Sequence, residues 1–315
     1  MAQWARVSAI RYGGNADQDD HIATNVAEAC ELIDLAALDK PDLIALPECF
    51  NALGITVRPH TSLAEPIDGF TVDALRKKAK QHGCHIVCPI YLIESNQLRN
   101  AAVLIDRKGG IAGMYFKMWP TIGEIEEGVI PGTEAFVAQT DVGPIGFAIC
   151  FDLNFRDVGQ ANRDQGARLI VFPSMYRGGI STRIWAYDFG VYLLSATPSE
   201  MSHLCDPMGR VLGDLWDYQP VMTRTINLDF EIFHIDRNQD HWKALRAAYG
   251  EHILLDIAGP EGVFLLASTH PEKTVADMIQ ETGMEPRHDY FRRSTLRREQ
   301  ALEMPPATKD GISSG

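Results

Sequence analysis

The sequence predicts an α/β protein with mixed sheets, and three observations carry that expectation. Short apolar runs of strand type alternate with stretches whose apolar residues recur every three or four positions. Two turn signals, Arg107-Lys108-Gly109-Gly110 and Pro207-Met208-Gly209, sit between apolar runs and add hairpin pairs to what are otherwise strand–helix–strand units. With 315 residues the chain is long enough for one large core or for two domains.

Trp4 to Tyr12 reads as the first strand, closed by Gly13, Gly14 and Asn15. Ile22, Val26, Ala29, Cys30, Ile33 and Ala37 then form an apolar stripe on a helix from about Asp20 to Leu38. Asp42 to Leu46 is a second apolar run, ended by Pro47 and Glu48. An irregular Pro- and Gly-bearing segment to Gly69 follows, then a helix near Thr71 to His82 stopped by Gly83, and a strand from His85 to Leu92. Asn100 to Asp106 and Ile111 to Lys117 read as a hairpin. Ile145 to Ile149 is a further strand, after which the chain turns at Cys150 into a polar helix. Strand Leu169 to Phe172, a helix near Thr182 to Gly190, strand Val191 to Ala196 and a strand pair around Pro207 to Gly209 complete the alternation.

Beyond Asp229 the pattern loosens into a polar helix near Asp240 to Ala248, apolar runs at Ile253 to Ile257 and Val263 to Ala267, and a helix near Lys273 to Thr282. The arginine-rich stretch Arg287 to Arg298 reads as a solvated arm or a subunit contact, with an anion site as its alternative. After Glu303 the apolar content is too low to order the tail. The expected division is a main domain over residues 1–285 and a C-terminal arm and tail over 286–315.

Composition narrows the function classes. Apolar residues make up 45% and charged residues 23%, as in ordinary globular proteins, and no apolar run reaches the length of a membrane span. The opening MAQWARVSAIRYGG lacks the basic, apolar, small-residue order of a signal peptide, so a cytoplasmic protein is expected. Six cysteines without a CxxC pair fit reduced thiols. A formal charge of −13 argues against a nucleic-acid partner, which requires a clustered positive surface.

Three apolar runs end on reactive side chains: Glu48 after LIALP, Lys117 after AGMYF and Cys150 after IGFAI. A carboxylate or an ammonium abutting a buried strand is costly unless paired or used, so three such residues at sheet ends favour a shared site. In that reading Glu48 removes the thiol proton, Lys117 opposes negative charge on a substrate oxygen, and Cys150 attacks an electrophilic carbon. A buried cysteine serving as a small hydrophobe is the competing reading for Cys150. His82 and His85 follow a helix end at a spacing unlike HExxH and read as structural, with no metal site expected.

The segments LPECF, FKMWP and ICFDLNFRD resemble, in order and spacing, the three catalytic signatures of the nitrilase superfamily of carbon–nitrogen hydrolases. The resemblance runs from about Ala5 to Asp229 and extends to SHLCDPMGRVLG, similar to the family's late turn between strands. It implies an α-β-β-α sandwich with mixed sheets and a C-terminal extension, and a Glu48, Lys117, Cys150 triad. It also implies hydrolysis without metal or organic cofactor, and homodimers or larger homo-oligomers.

A second glutamate in the loop after the lysine is also implied, and GEIEEGVIPG offers Glu124, Glu126 and Glu127. Counting from Lys117 selects Glu124, which matches K-x-x-P-T-x-x-E without a gap; counting back from Pro131-Gly132 selects Glu127. Arg156-Asp157 stands where the family's cysteine motif ends in Pro-Glu, and Asp157 is read as ordering the helix. WAYDFGVYLLSAT lacks the Arg-Ala and Glu-Asn pairs often found there, and no insertion matches the carboxylate-binding segments of carbamoyl amino acid hydrolases.

The expectation is therefore a cofactor-free hydrolase of a small linear amide, working through a thioester on Cys150. Lys117 and the backbone N–H of Phe151 would hold the oxyanion, and Glu124 would orient Lys117 and the substrate. Nitrile or N-carbamoyl hydrolysis with the same residues is the near rival, and a non-catalytic binding or assembly protein is the distant one.

Overall fold

The computed structural model describes residues 3–14, 21–55, 60–199, 202–216 and 218–303. The expected breaks at Gly13 and Gly14 fall within these residues; Asn15 and the low-apolar tail after Glu303 lie outside them.

Up to Asp229 the elements are, in chain order, β1 (Trp4–Ile10), α1 (His21–Ala37), β2 (Leu43–Ala45), β3 (Glu65–Pro66), α2 (Phe70–His82), β4 (His85–Glu94), β5 (Gln97–Ile105), β6 (Ile111–Phe116), α3 (Ile122–Glu126), β7 (Val137–Thr140), β8 (Gly143–Phe147), α4 (Arg156–Asp164), β9 (Leu169–Pro173), α5 (Ile180–Phe189), β10 (Tyr192–Ala196), β11 (His203–Cys205), β12 (Val211–Asp214) and β13 (Val221–Asn227). They form two sheets. The first has the order β13-β1-β2-β4-β5-β6, with β3 beside β4; the second has the order β12-β11-β10-β9-β8-β7. In each, three parallel strands lie at the centre, β1-β2-β4 and β8-β9-β10, and antiparallel strands flank them.

The covering of these sheets follows from the periodicities. Val26, Ala29 and Ile33 of α1 and Val72, Leu75 and Ala79 of α2 meet Ile44, Ile86, Cys88 and Val103 in one core. Val158 of α4 and Trp185, Ala186 and Phe189 of α5 meet Ile170, Phe172 and Leu193 in another. Alternate residues on the opposite faces, such as Leu43, Ala45, Leu169 and Val171, are equally buried, as strands covered on both sides require. Strands β1 and β2 of the first sheet lie against β10 of the second, which completes an α-β-β-α sandwich. Helix α2 ends as its sequence indicates: Gly83 takes φ +64°, and its N–H bonds the Ala79 carbonyl at 2.8 Å.

Several elements differ from the sequence reading. The turn expected at Cys150 is the 3-10 turn Cys150–Asn154, and it runs longer than expected, so that α4 begins at Arg156. Asp157 stands in the first turn of α4, where a carboxylate complements the helix dipole. Strands β7 and β13 and the short α3 were not expected. Strand β13 pairs with β1 across more than 200 residues of chain, a partnership that local periodicity cannot reveal.

From Phe230 onward the chain forms a second compact unit. This unit contains β14 (Phe230–His234), α6 (Trp242–Tyr249), β15 (Ile253–Ala258), β16 (Val263–Ser268), α7 (Val275–Thr282) and α8 (Arg287–Glu303). Its antiparallel sheet has the order β14-β16-β15, and its core gathers Phe233, Leu245, Phe264, Leu266 and Met278. The arginine-rich stretch lies in α8, where only Arg287 is buried.

Candidate active site

Each reactive side chain is delivered by a strand that ends in the unit up to Asp229. Glu48 follows β2 after Leu46 and Pro47 and is buried. Cys49 then takes a left-handed backbone, φ +47°, and starts the 3-10 turn Phe50–Ala52. Lys117 follows β6; its N–H bonds the Asn100 carbonyl, and its carbonyl accepts from Gly132 N–H, both at 2.9 Å. Cys150 follows β8 and is also left-handed, φ +48°. Neither cysteine is a glycine, so both turns hold a conformation costing about 1–3 kcal/mol, a cost met by the packing around them. Strand β8 is itself pinned: the Asn162 side chain bonds both N–H and C=O of Phe147 at 3.0 Å. Gly146 leaves the space, since a Cβ there would lie 2.1 Å from Asn162 Oδ1.

The side chains meet at short range. Lys117 Nζ donates to Glu48 Oε1 at 2.9 Å and to Glu124 Oε2 at 2.8 Å. Asn100, buried on β5, donates from Nδ2 to Glu48 Oε1 at 2.8 Å and to Glu124 Oε1 at 2.7 Å. Glu48 Oε2 accepts from the Met175 N–H at 2.9 Å, and the Tyr91 hydroxyl reaches Glu124 Oε1 at 3.4 Å. A capping box holds Glu124 on α3: Thr121 N–H donates to Glu124 Oε2 at 2.7 Å, and Glu124 N–H to Thr121 Oγ1 at 3.3 Å. Counting from the lysine thus finds the glutamate that touches it.

These contacts set the protonation states. Burial alone would lower the Lys117 pKa, but the carboxylates of Glu48 and Glu124 overcome it and hold the ammonium charged well above the usual lysine range. Burial likewise pushes Glu124 up, and Lys117, with the Asn100 and Thr121 donors, more than reverses it, so Glu124 stays ionised below the usual carboxylate range. The Cys150 thiol is pushed up to about 12, first by burial and then by the Glu48 carboxylate, against Lys117 and the Met175 N–H. At neutral pH Cys150 rests as a thiol and needs a base to become a nucleophile.

Glu48, Lys117, Glu124 and Cys150 line one cavity of about 270 Å3, with Tyr91, Ala52, Leu53 and Met175 among its other walls. Glu127 also lines it, whereas Glu126 is exposed on α3. Phe151 is half-buried in the 3-10 turn, its ring 5.3 Å from that of Phe155 and edge-on to it, and it is not among the side chains lining the cavity. Asn100, Tyr91 and Met175 were missed by sequence reasoning. Only Asn100 leaves a trace there, as a polar residue at the head of the apolar run AAVLI. His82 and His85 bond Asp34 and Asp141, each at 2.6 Å. Among the described residues no group of three or more His, Cys, Asp or Glu side chains is arranged to hold a metal ion.

Comparison with known proteins follows this geometry. Over 239 residues the chain is 27% identical to omega-amidase NIT2 of Xenopus tropicalis, covering 65% of this chain and 84% of that protein. Among solved structures it is similar to Nit3 of Saccharomyces cerevisiae, a member of branch 10 of the nitrilase superfamily, with a TM-score of 0.63 at 19% identity over 79% of this chain and 95% of that one. A mutant of the amidase from Nesterenkonia sp. AN1, with the acetamide moiety of fluoroacetamide covalently added at its active-site cysteine, gives a TM-score of 0.63 at 19% identity over 78% of this chain and 96% of that one. The family model described as carbon-nitrogen hydrolase matches residues 12–231, nearly the whole of the unit that carries Glu48, Lys117 and Cys150. The chain therefore belongs to the carbon–nitrogen hydrolase family.

Proposed function

We propose that this protein hydrolyses the carbon–nitrogen bond of a small linear amide through a thioester on Cys150. Glu48 takes the Cys150 proton as the sulfur attacks the carbonyl carbon. The oxyanion that forms is met by the Lys117 ammonium and by the backbone N–H of Phe151. As the tetrahedral species collapses, Glu48 returns its proton to the departing nitrogen, and ammonia or an amine leaves. Water then gives a proton to Glu48 and attacks the thioester; the acid is released, and the proton returns to sulfur. Glu124 and Asn100 keep Lys117 and Glu48 in register.

The observation that carries this reading is the resting thiol of Cys150, pushed up to about 12 beside a carboxylate that is itself fixed by Lys117, Asn100 and Met175 N–H. Such a thiol has no reactivity of its own at neutral pH and an adjacent base to supply it. The omega-amidase relative and the cysteine adduct on the Nesterenkonia amidase support the amide and the sulfur respectively.

Electrospray mass spectra of the intact protein mixed with amides, nitriles and N-carbamoyl compounds test it, together with assays of released ammonia. An acyl adduct on Cys150 with amides supports the reading. A thioimidate from nitriles alone, or no adduct and no ammonia, overturns it.

A further inference from the structure

Asp152 lies two residues after Cys150 and is completely buried. Its Oδ2 accepts from the Ile149 N–H and from the Tyr115 hydroxyl, both at 2.8 Å. Its Oδ1 accepts from the Trp119 N–H, also at 2.8 Å. The Tyr115 oxygen in turn accepts from the Met118 N–H at 3.4 Å. Tyr115 and Trp119 stand on either side of Lys117, at the end of β6 in the first sheet, whereas Ile149 immediately precedes Cys150, beyond β8 in the second. One carboxylate thus ties the chain on both sides of the lysine to the chain just before the cysteine. Charge-assisted bonds of this length are strong and directional, and each donor is on backbone or on a fully buried ring.

We propose that Asp152 is a positioning residue that sets the Lys117 ammonium against the Cys150 sulfur by clamping the two sheets at their reactive ends. This inference rests on the cysteine mechanism proposed above. A role confined to stabilising the 3-10 turn would require only the Ile149 bond; the Tyr115 and Trp119 bonds cross to the other sheet. Burial pushes Asp152 up to about 6, against its three donors and the Lys117 charge. Above that pH the carboxylate accepts from all three donors. Below it a proton on one oxygen competes with a donor for the same position, and the clamp loosens.

The test compares wild type, Asp152→Asn and Tyr115→Phe, the last removing one clamp donor while leaving Asp152 in place. For Asp152→Asn, kcat should fall about 100-fold with KM within about threefold, the loss expected for misplaced rather than missing chemistry. The acid limb of kcat near pH 6 should vanish, because an amide does not titrate. Alkylation of Cys150 by iodoacetamide, read by mass without any substrate, should slow about tenfold in Asp152→Asn and less in Tyr115→Phe. A lowered melting temperature with unchanged kcat, pH profile and alkylation rate overturns the proposal. If Asp152→Asn does not fold, unchanged kcat and alkylation in Tyr115→Phe overturn it equally. Should the wild type form no acyl adduct and release no ammonia, the functional reading falls, and the iodoacetamide comparison still decides the clamp.

Discussion

Asn100 Nδ2 stands 2.8 Å from Glu48 Oε1, and the same nitrogen reaches Glu124, so one amide holds two like charges side by side. Lys117 alone would have to balance both carboxylates without it. Asn100→Asp, which adds a third carboxylate at the same place, should lower kcat by about tenfold or more and lower the melting temperature at neutral pH. Wild-type kinetics in that variant would show that the amide is a bystander.

Lys117→Met removes the one cation that, among the described residues, pairs with Glu48 and Glu124. The loss of an oxyanion donor should cost about 100- to 1,000-fold in kcat. Stability should suffer as well, by roughly 3–5 kcal/mol, since two buried carboxylates are left facing each other. That loss should ease on acidification, as protons replace the missing ammonium. Melting temperatures of wild type and variant between pH 5 and 8 check the sign: the gap narrows toward pH 5.

Glu124 and Glu127 separate by charge and contact. Glu124 has its pKa held below the usual carboxylate range, so its contribution to stability is present above the unfolded value and is lost as pH falls through the lower folded one. Glu124→Gln should remove that part of the acid dependence of unfolding and depress kcat/KM, while Glu127→Gln should keep both near wild type. Urea denaturation against pH, with kcat/KM for the two variants, decides between them; a collapse in Glu127→Gln alone would reassign the role.

The buried thiols give a prediction at the opposite end of the pH scale. Cys150 and Cys205 are each pushed up to about 12, chiefly by burial, from an ordinary value of 9.0. Raised thiol values favour the protonated folded state, so stability should hold below about pH 9 and decline as pH rises toward 12. Cys205→Ala should flatten that decline. At neutral pH, Glu48→Gln should slow iodoacetamide alkylation of Cys150 about tenfold or more, because the thiol has lost its base. A rate unaffected by Glu48→Gln would mean that the sulfur ionises unaided.

Strand ends carrying Glu48, Lys117 and Cys150 were legible in the sequence because an ionisable or reactive group against an apolar run is locally anomalous. Glu124 was legible by its distance from Lys117. Asn100 and Asp152 were not. An Asn at the head of a strand and an Asp inside a turn are ordinary in sequence terms, and only the pairing of β5 with β6, and of one sheet against the other, shows what they touch. Strand β13 was hidden for the same reason, its partner β1 lying at the opposite end of the unit. The paired αL turns at Cys49 and Cys150 were also invisible, since neither residue type announces a positive φ.

Because Glu48 and Lys117 belong to one sheet and Cys150 to the other, neither sheet by itself carries the proposed site. In a refolding chain, either layer can acquire its strands and its helical cover before Glu48 and Lys117 meet Cys150. Release of ammonia from an amide is therefore the readout of one step, the docking of two layers joined through contacts distant in sequence. Circular dichroism should recover first and ammonia release last, and the interval between them measures how long the two half-sites exist apart.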